Sequence, residues 1–288
     1  MNKSLYVEKI KLIIAMLIVS SIGIFVENLP LPRSLISLAR AFIGSIVVLP
    51  VFIAKSKNLS RDMIKKNAIP LILSGMALGF NWMFLFEAYN HTTVQVATLC
   101  YYMAPVFVIL VSPFFLKEKL TVFSVICTIG AVVGAVMISG VLGGVIYGYK
   151  GIILGLFAAV LYASIIILNK KIVGISGIER TFFQLGISAI VMLVYVLLTV
   201  DFAVISLNCS HLVLLLILGV FHTGIVYILF FSAIGNLPAQ TASILSYIDP
   251  VAAIILSGIF LNESLDVFQI IGMIFIIGFA AANEIKNA

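Results

Sequence analysis

The chain has 288 residues, of which 63% are hydrophobic and only 10% are charged, with a formal net charge of +6 at pH 7. So few charges cannot coat the exterior of a soluble domain of this length, which excludes an ordinary soluble enzyme or binding module. A lipid bilayer solvates an apolar exterior, so the composition predicts a membrane protein.

Ten apolar stretches follow one another along the chain, each close to the roughly 20 residues that a membrane-spanning helix needs. The connections between them are short, so neighbouring helices are predicted to be antiparallel. The predicted spans are residues 10–27, 34–54, 68–90, 93–115, 121–140, 151–169, 179–200, 210–233, 238–260 and 266–283.

The Lys and Arg side chains are distributed unevenly over the two ends of these predicted helices. With the N-terminus in the cytoplasm, the cytoplasmic segments hold 14 of the 17 cations, the outer loops hold Arg33 and Lys150, and Arg40 lies within a helix. This bias is typical of the positive-inside rule. It predicts cytoplasmic termini in a plasma or bacterial inner membrane. It also accounts for the basic charge, so the expected partners are the lipid bilayer and a small-molecule substrate, and not nucleic acid.

The chain repeats itself after a shift of 145 residues. Fifteen positions are identical between residues 86–123 and 231–268, including a Tyr-x-x-Pro and a Leu-x-Glu-x-Leu pattern. Five helices in each half, an odd number, insert the second half inverted. Inverted halves around a central site are typical of transporters, because rocking one half against the other gives alternating access. The repeat predicts two units, residues 1–145 and 146–288.

The repeated motifs point to a known family. The first copy is Ala97-x-x-x-x-Tyr102-x-x-Pro105 followed by Phe115-Leu116-Lys117-Glu118-Lys119-Leu120, and the second is Ala242-x-x-x-x-Tyr247-x-x-Pro250 followed by Phe260-Leu261-Asn262-Glu263-Ser264-Leu265. On these motifs nearly the whole chain resembles the drug/metabolite transporter superfamily, in its two-repeat EamA branch. The resemblance implies an all-α membrane protein with ten transmembrane helices arranged as two inverted five-helix repeats.

The same resemblance implies a central cavity lined by helices 1–4 and 6–9, with helices 5 and 10 at the periphery. Members of the superfamily move amino acids, nucleotide sugars, other metabolites and drugs. The expected function is therefore transport, with no enzymatic activity, metal or cofactor.

Ionisable side chains inside the predicted helices are functional candidates, because each costs several kcal/mol in lipid unless it is paired or hydrated. Arg40 fits a substrate carboxylate or phosphate, or else pairs with Glu27 or a backbone carbonyl. Asp249 precedes Pro250, whose missing N–H loosens the preceding turn, so the acid binds a cation or proton or is simply a buried neutral acid. His222 lies at a similar depth. A His222–Asp249 pair would couple proton entry to transport, whereas a lone His is an ordinary core residue.

Polar and aromatic side chains in helices 3, 4, 8 and 9 are predicted to line the cavity. Paired aromatic rings can stack on a flat or cationic substrate, although any one of them alone is equally consistent with core packing. Besides Arg40, the predicted substrate-binding residues are Asn81, Trp82, Gln95, Tyr101, Tyr102, Tyr227, Gln240 and Tyr247.

Three alternatives stay open at this point. A channel would also have a polar cavity. An intramembrane enzyme could use Ser176 in the run Gly174-Ile175-Ser176-Gly177 with His222 as its base. The spacings Gly130-x-x-x-Gly134 and Gly151-x-x-x-Gly155 allow close helix approach, which serves either internal packing or a homodimer.

An amino-acid-like substrate suits the combination of Arg40, Asp249 and aromatic rings.

Overall fold

The computed structural model is built from helices throughout the part of the chain that it describes, residues 3–92, 94–138, 148–202, 205, 207–260 and 267–286. No strand occurs within those ranges, which confirms the all-α class. The helices in chain order are α1 (Lys3–Val19), α2 (Ile22–Glu27), α3 (Arg33–Lys55), α4 (Arg61–His91), α5 (Val94–Tyr101), α6 (Ala104–Leu116), α7 (Val122–Ile138), α8 (Tyr149–Lys171), α9 (Gly177–Thr199), α10 (Cys209–Gly219), a π-helical turn (Val220–Ile225), α11 (Val226–Asn236), α12 (Ala239–Leu245), α13 (Ile248–Phe260) and α14 (Val267–Lys286).

Eight helical segments in the described ranges are long and apolar enough to cross a membrane. Four of them combine consecutive elements, such as Leu5–Glu27 from α1 and α2. Two shorter apolar helices, Val122–Met137 and Ile270–Asn283, coincide with the fifth and tenth predicted spans. The structure therefore has the expected many-helix membrane architecture, while the number of ten spans stays a prediction.

Two helix breaks lie at equivalent positions of the sequence repeat. The first separates α5 from α6 at Tyr102, and the second separates α12 from α13 at Tyr247, which is 145 residues further along. A proline follows each break three residues later, at Pro105 and Pro250. Proline has no N–H to donate and crowds the preceding turn, which favours a helix break at these positions.

The helices α7 and α14 pack chiefly against each other at one side of the bundle. A side chain at Gly130 would collide with the Phe279 ring, and one at Gly134 would meet the Gly272 carbonyl oxygen. The glycine pair of α7 is thus used for close packing within the chain. Likewise, Gly151 in α8 lies against Thr92, which gives the second glycine pair an internal partner as well.

Substituting Gly130 with Ala is expected to destabilise the protein by about 1–3 kcal/mol, because the added methyl group overpacks the Phe279 contact. The same substitution at Gly278 in α14 is the matched control, since a Cβ there meets nothing within 4 Å. Thermal unfolding in detergent should show a lower melting temperature for Gly130→Ala and no decrease for Gly278→Ala. Equal melting temperatures for the two variants would contradict the α7–α14 packing.

The two ends of the bundle differ in charge. One end, which we name the basic end, carries the first turns of α1, the connection between α6 and α7, and the last turns of α8 and α11. Both ends of the described chain lie there, since Asn283 near the end of α14 accepts a hydrogen bond from Ser124 at the start of α7. The opposite end carries the end of α2 at Glu27 and the start of α3 at Arg33.

Candidate functional site

A cavity of about 480 Å³ opens between the two predicted halves at the end opposite to the basic end. Its mouth includes Glu27, Arg33 and Val94, at the ends of α2, α3 and α5. A narrower chamber of about 90 Å³ continues from it towards the basic end. The residues that line both parts are Val19, Tyr101, Tyr102, Tyr227 and Asp249. The two parts therefore form one site, with walls from both halves.

Arg40, in the second turn of α3, lines the wider part of this cavity. Its side chain is 8% exposed, and its Nε donates to the Thr223 hydroxyl at 3.1 Å. Its Cζ lies 5.6 Å from the centroid of the Trp82 ring. No carboxylate of the described residues forms an ion pair with it, so the predicted alternative of a Glu27 partner is not what holds Arg40 in place.

Asp249 lies in the first turn of α13, directly after the helix break, and lines both parts of the cavity. Its backbone N–H donates to Ser246 across the break. Among the described residues, no hydrogen bond or ion pair reaches its carboxylate. An acid in the first turn of a helix is favoured by the helix dipole. The carboxylate is thus positioned by the break and faces the cavity.

Aromatic rings form most of the remaining wall. Trp82 and Tyr227 meet edge to face with centroids 6.0 Å apart, and Tyr101 lies 5.5 Å from Tyr162. Tyr162 in turn stacks on Phe230 at 6.1 Å. Trp82 of the third predicted helix and Tyr227 of the eighth are thus in contact, and the rings give the cavity flat, polarisable walls with hydroxyl groups at their edges.

The tyrosines of the two helix breaks are joined across the repeat. The Tyr247 hydroxyl, buried in the narrow chamber, donates to the Tyr102 backbone carbonyl at 2.8 Å. The Tyr102 ring lies in the wider cavity as well. Because the two residues occupy equivalent repeat positions, the donor of one half satisfies a carbonyl that the other half leaves free at its break.

The structure does not bring His222 together with Asp249. His222 lies in the π-helical turn, where its Nε2 bonds the Ser21 hydroxyl at 2.8 Å and its ring packs edge-on against Phe25. It lines neither part of the cavity. The pair was predicted because the two residues lie at a similar depth in their helices. The wide π turn, however, directs His222 towards the break between α1 and α2. Its contacts are those of a satisfied core residue.

Of the remaining predicted residues, one lines the cavity and another lies at the basic end of the bundle. Asn81 lines the narrow chamber, and its amide donates to the Ala158 carbonyl at 2.6 Å. Gln240 lies outside both parts of the cavity, because it is in the first turn of α12 at the basic end, where its amide donates to Ser112 and to the Lys119 carbonyl. The Gln95 side chain lies outside the described residues.

The basic end is closed by a set of hydrogen bonds that we name the α11–α12 clasp. The Glu118 carboxylate accepts from the backbone N–H groups of Ala239 at 2.8 Å and of Gln240 at 3.4 Å. Lys170 donates to the carbonyls of Leu237 at 2.8 Å and Gly235 at 3.4 Å. A carboxylate and an ammonium group thus cap the two helix ends that meet in this linker.

A second tie at the basic end joins the two halves. Lys11 pairs with Glu8 at 2.8 Å, and both bond the Ser232 hydroxyl in α11. Charged hydrogen bonds thus join the helices at the basic end, and the residues that form them line neither part of the cavity, whereas the wider part opens at the other end.

Several cavity residues escaped the sequence reasoning. Ser37, Tyr89 and Thr98 line the wider part, and Ser246 lines the narrow chamber, where its hydroxyl accepts from Tyr162. Small hydroxyl residues are common in membrane helices and carry no distinctive spacing. Ser246 could have been predicted from the sequence, because it directly precedes the repeated tyrosine at a predicted break.

Comparisons with known proteins agree with this architecture. The model of the EamA-like transporter family matches twice, at residues 9–140 and 149–282. The uncharacterized transporter YxxF of Bacillus subtilis is 32% identical over 96% of this chain and 89% of its own length. An uncharacterized transporter of Clostridium kluyveri is 30% identical over 85% of this chain and 81% of its own. A solved crystal structure superimposes with a TM-score of 0.84 at 19% identity, over 95% of this chain and 96% of that one, which shows the fold alone.

Proposed function

This chain belongs to the EamA-like transporter family, and on that premise we propose that it is a secondary carrier that moves a small organic metabolite by alternating access. The family and the relatives make it a multi-pass membrane transporter. The observation that carries the finer proposal is the single cavity between the halves, open at one end and closed by the α11–α12 clasp at the other. In alternating access the two ends of a carrier are never open together, so one closed end is what a carrier needs.

The basic end is proposed to face the cytoplasm. It carries the clusters of Lys and Arg that the positive-inside rule places on that side. With this orientation the cavity is open to the outside of a plasma or bacterial inner membrane, and both termini are cytoplasmic.

An amino-acid-like substrate suits the cavity. Arg40 and Asp249 line the same space without an ion pair between them or to any other described residue. Opposite charges that do not neutralise each other can bind the two poles of a dipolar ligand. The rings of Trp82, Tyr101 and Tyr227 between them favour a flat or apolar substituent.

Proton coupling is proposed to depend on Asp249. Its carboxylate faces the cavity and is therefore accessible from the side to which the cavity opens. His222 supports this role less well, because its contacts are with Ser21 and the Ile217 carbonyl, outside the cavity.

The intramembrane enzyme is the weaker alternative. The Ser176 hydroxyl accepts a hydrogen bond from the Glu179 backbone N–H, and Glu179 accepts one from the Ser176 N–H in return. This capping box at the start of α9 explains the serine without catalysis. His222 is bonded to Ser21 and does not serve Ser176 as a base.

Counterflow separates a carrier from a channel. Proteoliposomes loaded with an unlabelled L-amino-acid mixture and diluted into a trace of the labelled mixture are expected to accumulate label transiently above equilibrium. A channel equilibrates label without such an overshoot, because it never holds the site closed on one side. Protein-free liposomes are the control, and simple equilibration with the protein present would refute the carrier.

A further inference from the structure

We propose that Arg40 is the carboxylate subsite of this cavity, that Thr223 is the residue that positions it, and that the ligand carries a single carboxylate on a flat body. The inference rests on the proposed function, since it assigns a substrate class to the same cavity. It is tested by binding alone, so its outcome is separate from that of the transport experiment.

The first support is that Arg40 is buried and that no carboxylate of the described residues pairs with it. Among the described residues its one hydrogen bond joins Nε to Thr223, and its two terminal nitrogens have no protein partner. A buried guanidinium is costly unless its charge is compensated. The cation over the Trp82 ring supplies part of that compensation. A carboxylate on the two terminal nitrogens would supply the rest, because guanidinium and carboxylate form paired hydrogen bonds.

The second support is the local geometry of the helix that faces Arg40. Thr223 belongs to the π-helical turn between α10 and α11, and its hydroxyl donates to the Leu218 carbonyl at 2.9 Å. Its lone pair is then directed to the Arg40 Nε at 3.1 Å. Holding the guanidinium at Nε leaves its two terminal nitrogens for the ligand. A π turn interrupts regular α-helical hydrogen bonding and is frequently found at functional sites.

The remaining lining selects among anions. Glu27 and Asp249 are acids in the walls of the same cavity, and either would repel a second carboxylate of the ligand. The rings of Trp82 and Tyr227, 6.0 Å apart, lie beside the guanidinium and fit a flat group. The geometry therefore favours a monocarboxylate over a dicarboxylate and a charged acid over its uncharged amide.

The protein carries its own reporter for this site, because Trp82 is its one tryptophan. We would titrate the full chain in detergent with 4-nitrobenzoate, with its uncharged amide 4-nitrobenzamide and with the dicarboxylate 4-nitrophthalate, and follow quenching of the Trp82 emission corrected for absorbed light. 4-Nitrobenzoate is expected to quench saturably at a concentration about tenfold or more below that of the amide, as charge-assisted hydrogen bonds imply. It should also bind more tightly than 4-nitrophthalate.

Variants separate the subsite from a general electrostatic field. Arg40→Gln is expected to remove the preference for the acid over the amide. Thr223→Val, which loses the hydroxyl at nearly constant shape, should reduce the preference about threefold or more, and Thr223→Ser should restore it. Arg33→Gln removes a second cation, which lines the mouth of the cavity, and is expected to leave most of the preference in place.

Each outcome decides the inference. Equal quenching by the acid and the amide in the unmodified protein overturns it, as does an Arg33→Gln loss equal to that of Arg40→Gln. A Thr223→Ser variant that behaves like Thr223→Val refutes the positioning role. If Arg40→Gln lowers the thermal melting temperature, the comparison of Thr223→Val with Thr223→Ser still tests the Arg40 subsite. Preference for the acid together with failed counterflow would leave this subsite standing and refute the carrier.

Discussion

Asparagine in place of Asp249 is expected to abolish proton movement during transport and to weaken substrate exchange without abolishing it. Asp249 follows a helix break, lines both parts of the cavity and has no partner among the described residues. An unpaired carboxylate in the cavity wall can take up a proton on one side and release it on the other, whereas an amide cannot. Liposomes that contain the pH dye pyranine would report this as a lost pH change when the L-amino-acid mixture is added.

Two variants control for indirect effects. Glu27→Gln removes an acid at the mouth of the same cavity, and His222→Gln keeps a hydrogen-bonding side chain next to Ser21. Both are expected to retain proton movement. If His222→Gln abolishes it and Asp249→Asn does not, the coupling site is the π-helical turn and the present assignment is wrong. If counterflow also disappears in Asp249→Asn, the carboxylate is needed for substrate binding.

Opening of the basic end is expected when the α11–α12 clasp is removed. Glu118→Ala leaves the N–H groups of Ala239 and Gln240 without their acceptor, and Lys170→Met does the same to two carbonyls. Loss of a helix cap costs about 1 kcal/mol and unpaired buried groups about 1–3 kcal/mol. Since 1.4 kcal/mol corresponds to a factor of ten, each variant should raise the fraction open at this end about tenfold.

A single reactive cysteine measures that fraction. Ser243 in α12 is fully buried and lines neither part of the cavity, so Ser243→Cys in a chain with Cys100, Cys127 and Cys209 replaced by Ala should react slowly with maleimide. The clasp variants should accelerate the reaction about tenfold.

Lys171→Met is the matched control for Lys170→Met, because Lys171 is exposed and its ammonium lies over the Phe115 ring, outside the clasp. Equal acceleration by the two Lys variants would indicate a change in charge at the basic end, and no acceleration by either clasp variant would refute the clasp as the closure.

The sequence predicted the site best where a residue type is energetically costly to place in a membrane helix. Arg40 and Asp249 stood out because charge in lipid is expensive, and both line the cavity. The Tyr-x-x-Pro repeat indicated the loosened turn that appears as a break at Tyr247. These features depend on chemistry that a single residue determines.

Features that depend on direction around a helix were harder to predict. His222 and Asp249 lie at similar depth, but depth along a helix does not say which way a side chain points. The π turn that separates them, Val220–Ile225, contains no proline and has no composition that distinguishes it from an α-helix. The position of Gln240 shows the same limit, since its repeat partner and polarity suggested a cavity while the start of α12 places it in the closure.

The hydrogen bond from Tyr247 to the Tyr102 carbonyl has a consequence for the energetics of the proposed cycle. In a chain with two identical halves, the reverse bond, from Tyr102 to the Tyr247 carbonyl, would have the same free energy, and the two one-sided conformations would be equally populated. The resting preference of this protein must then be encoded at positions where the halves differ, such as Asp249 against Ala104. Each such difference contributes to the free-energy difference between the two one-sided conformations. Exchanging the residues between the halves would measure these contributions one at a time.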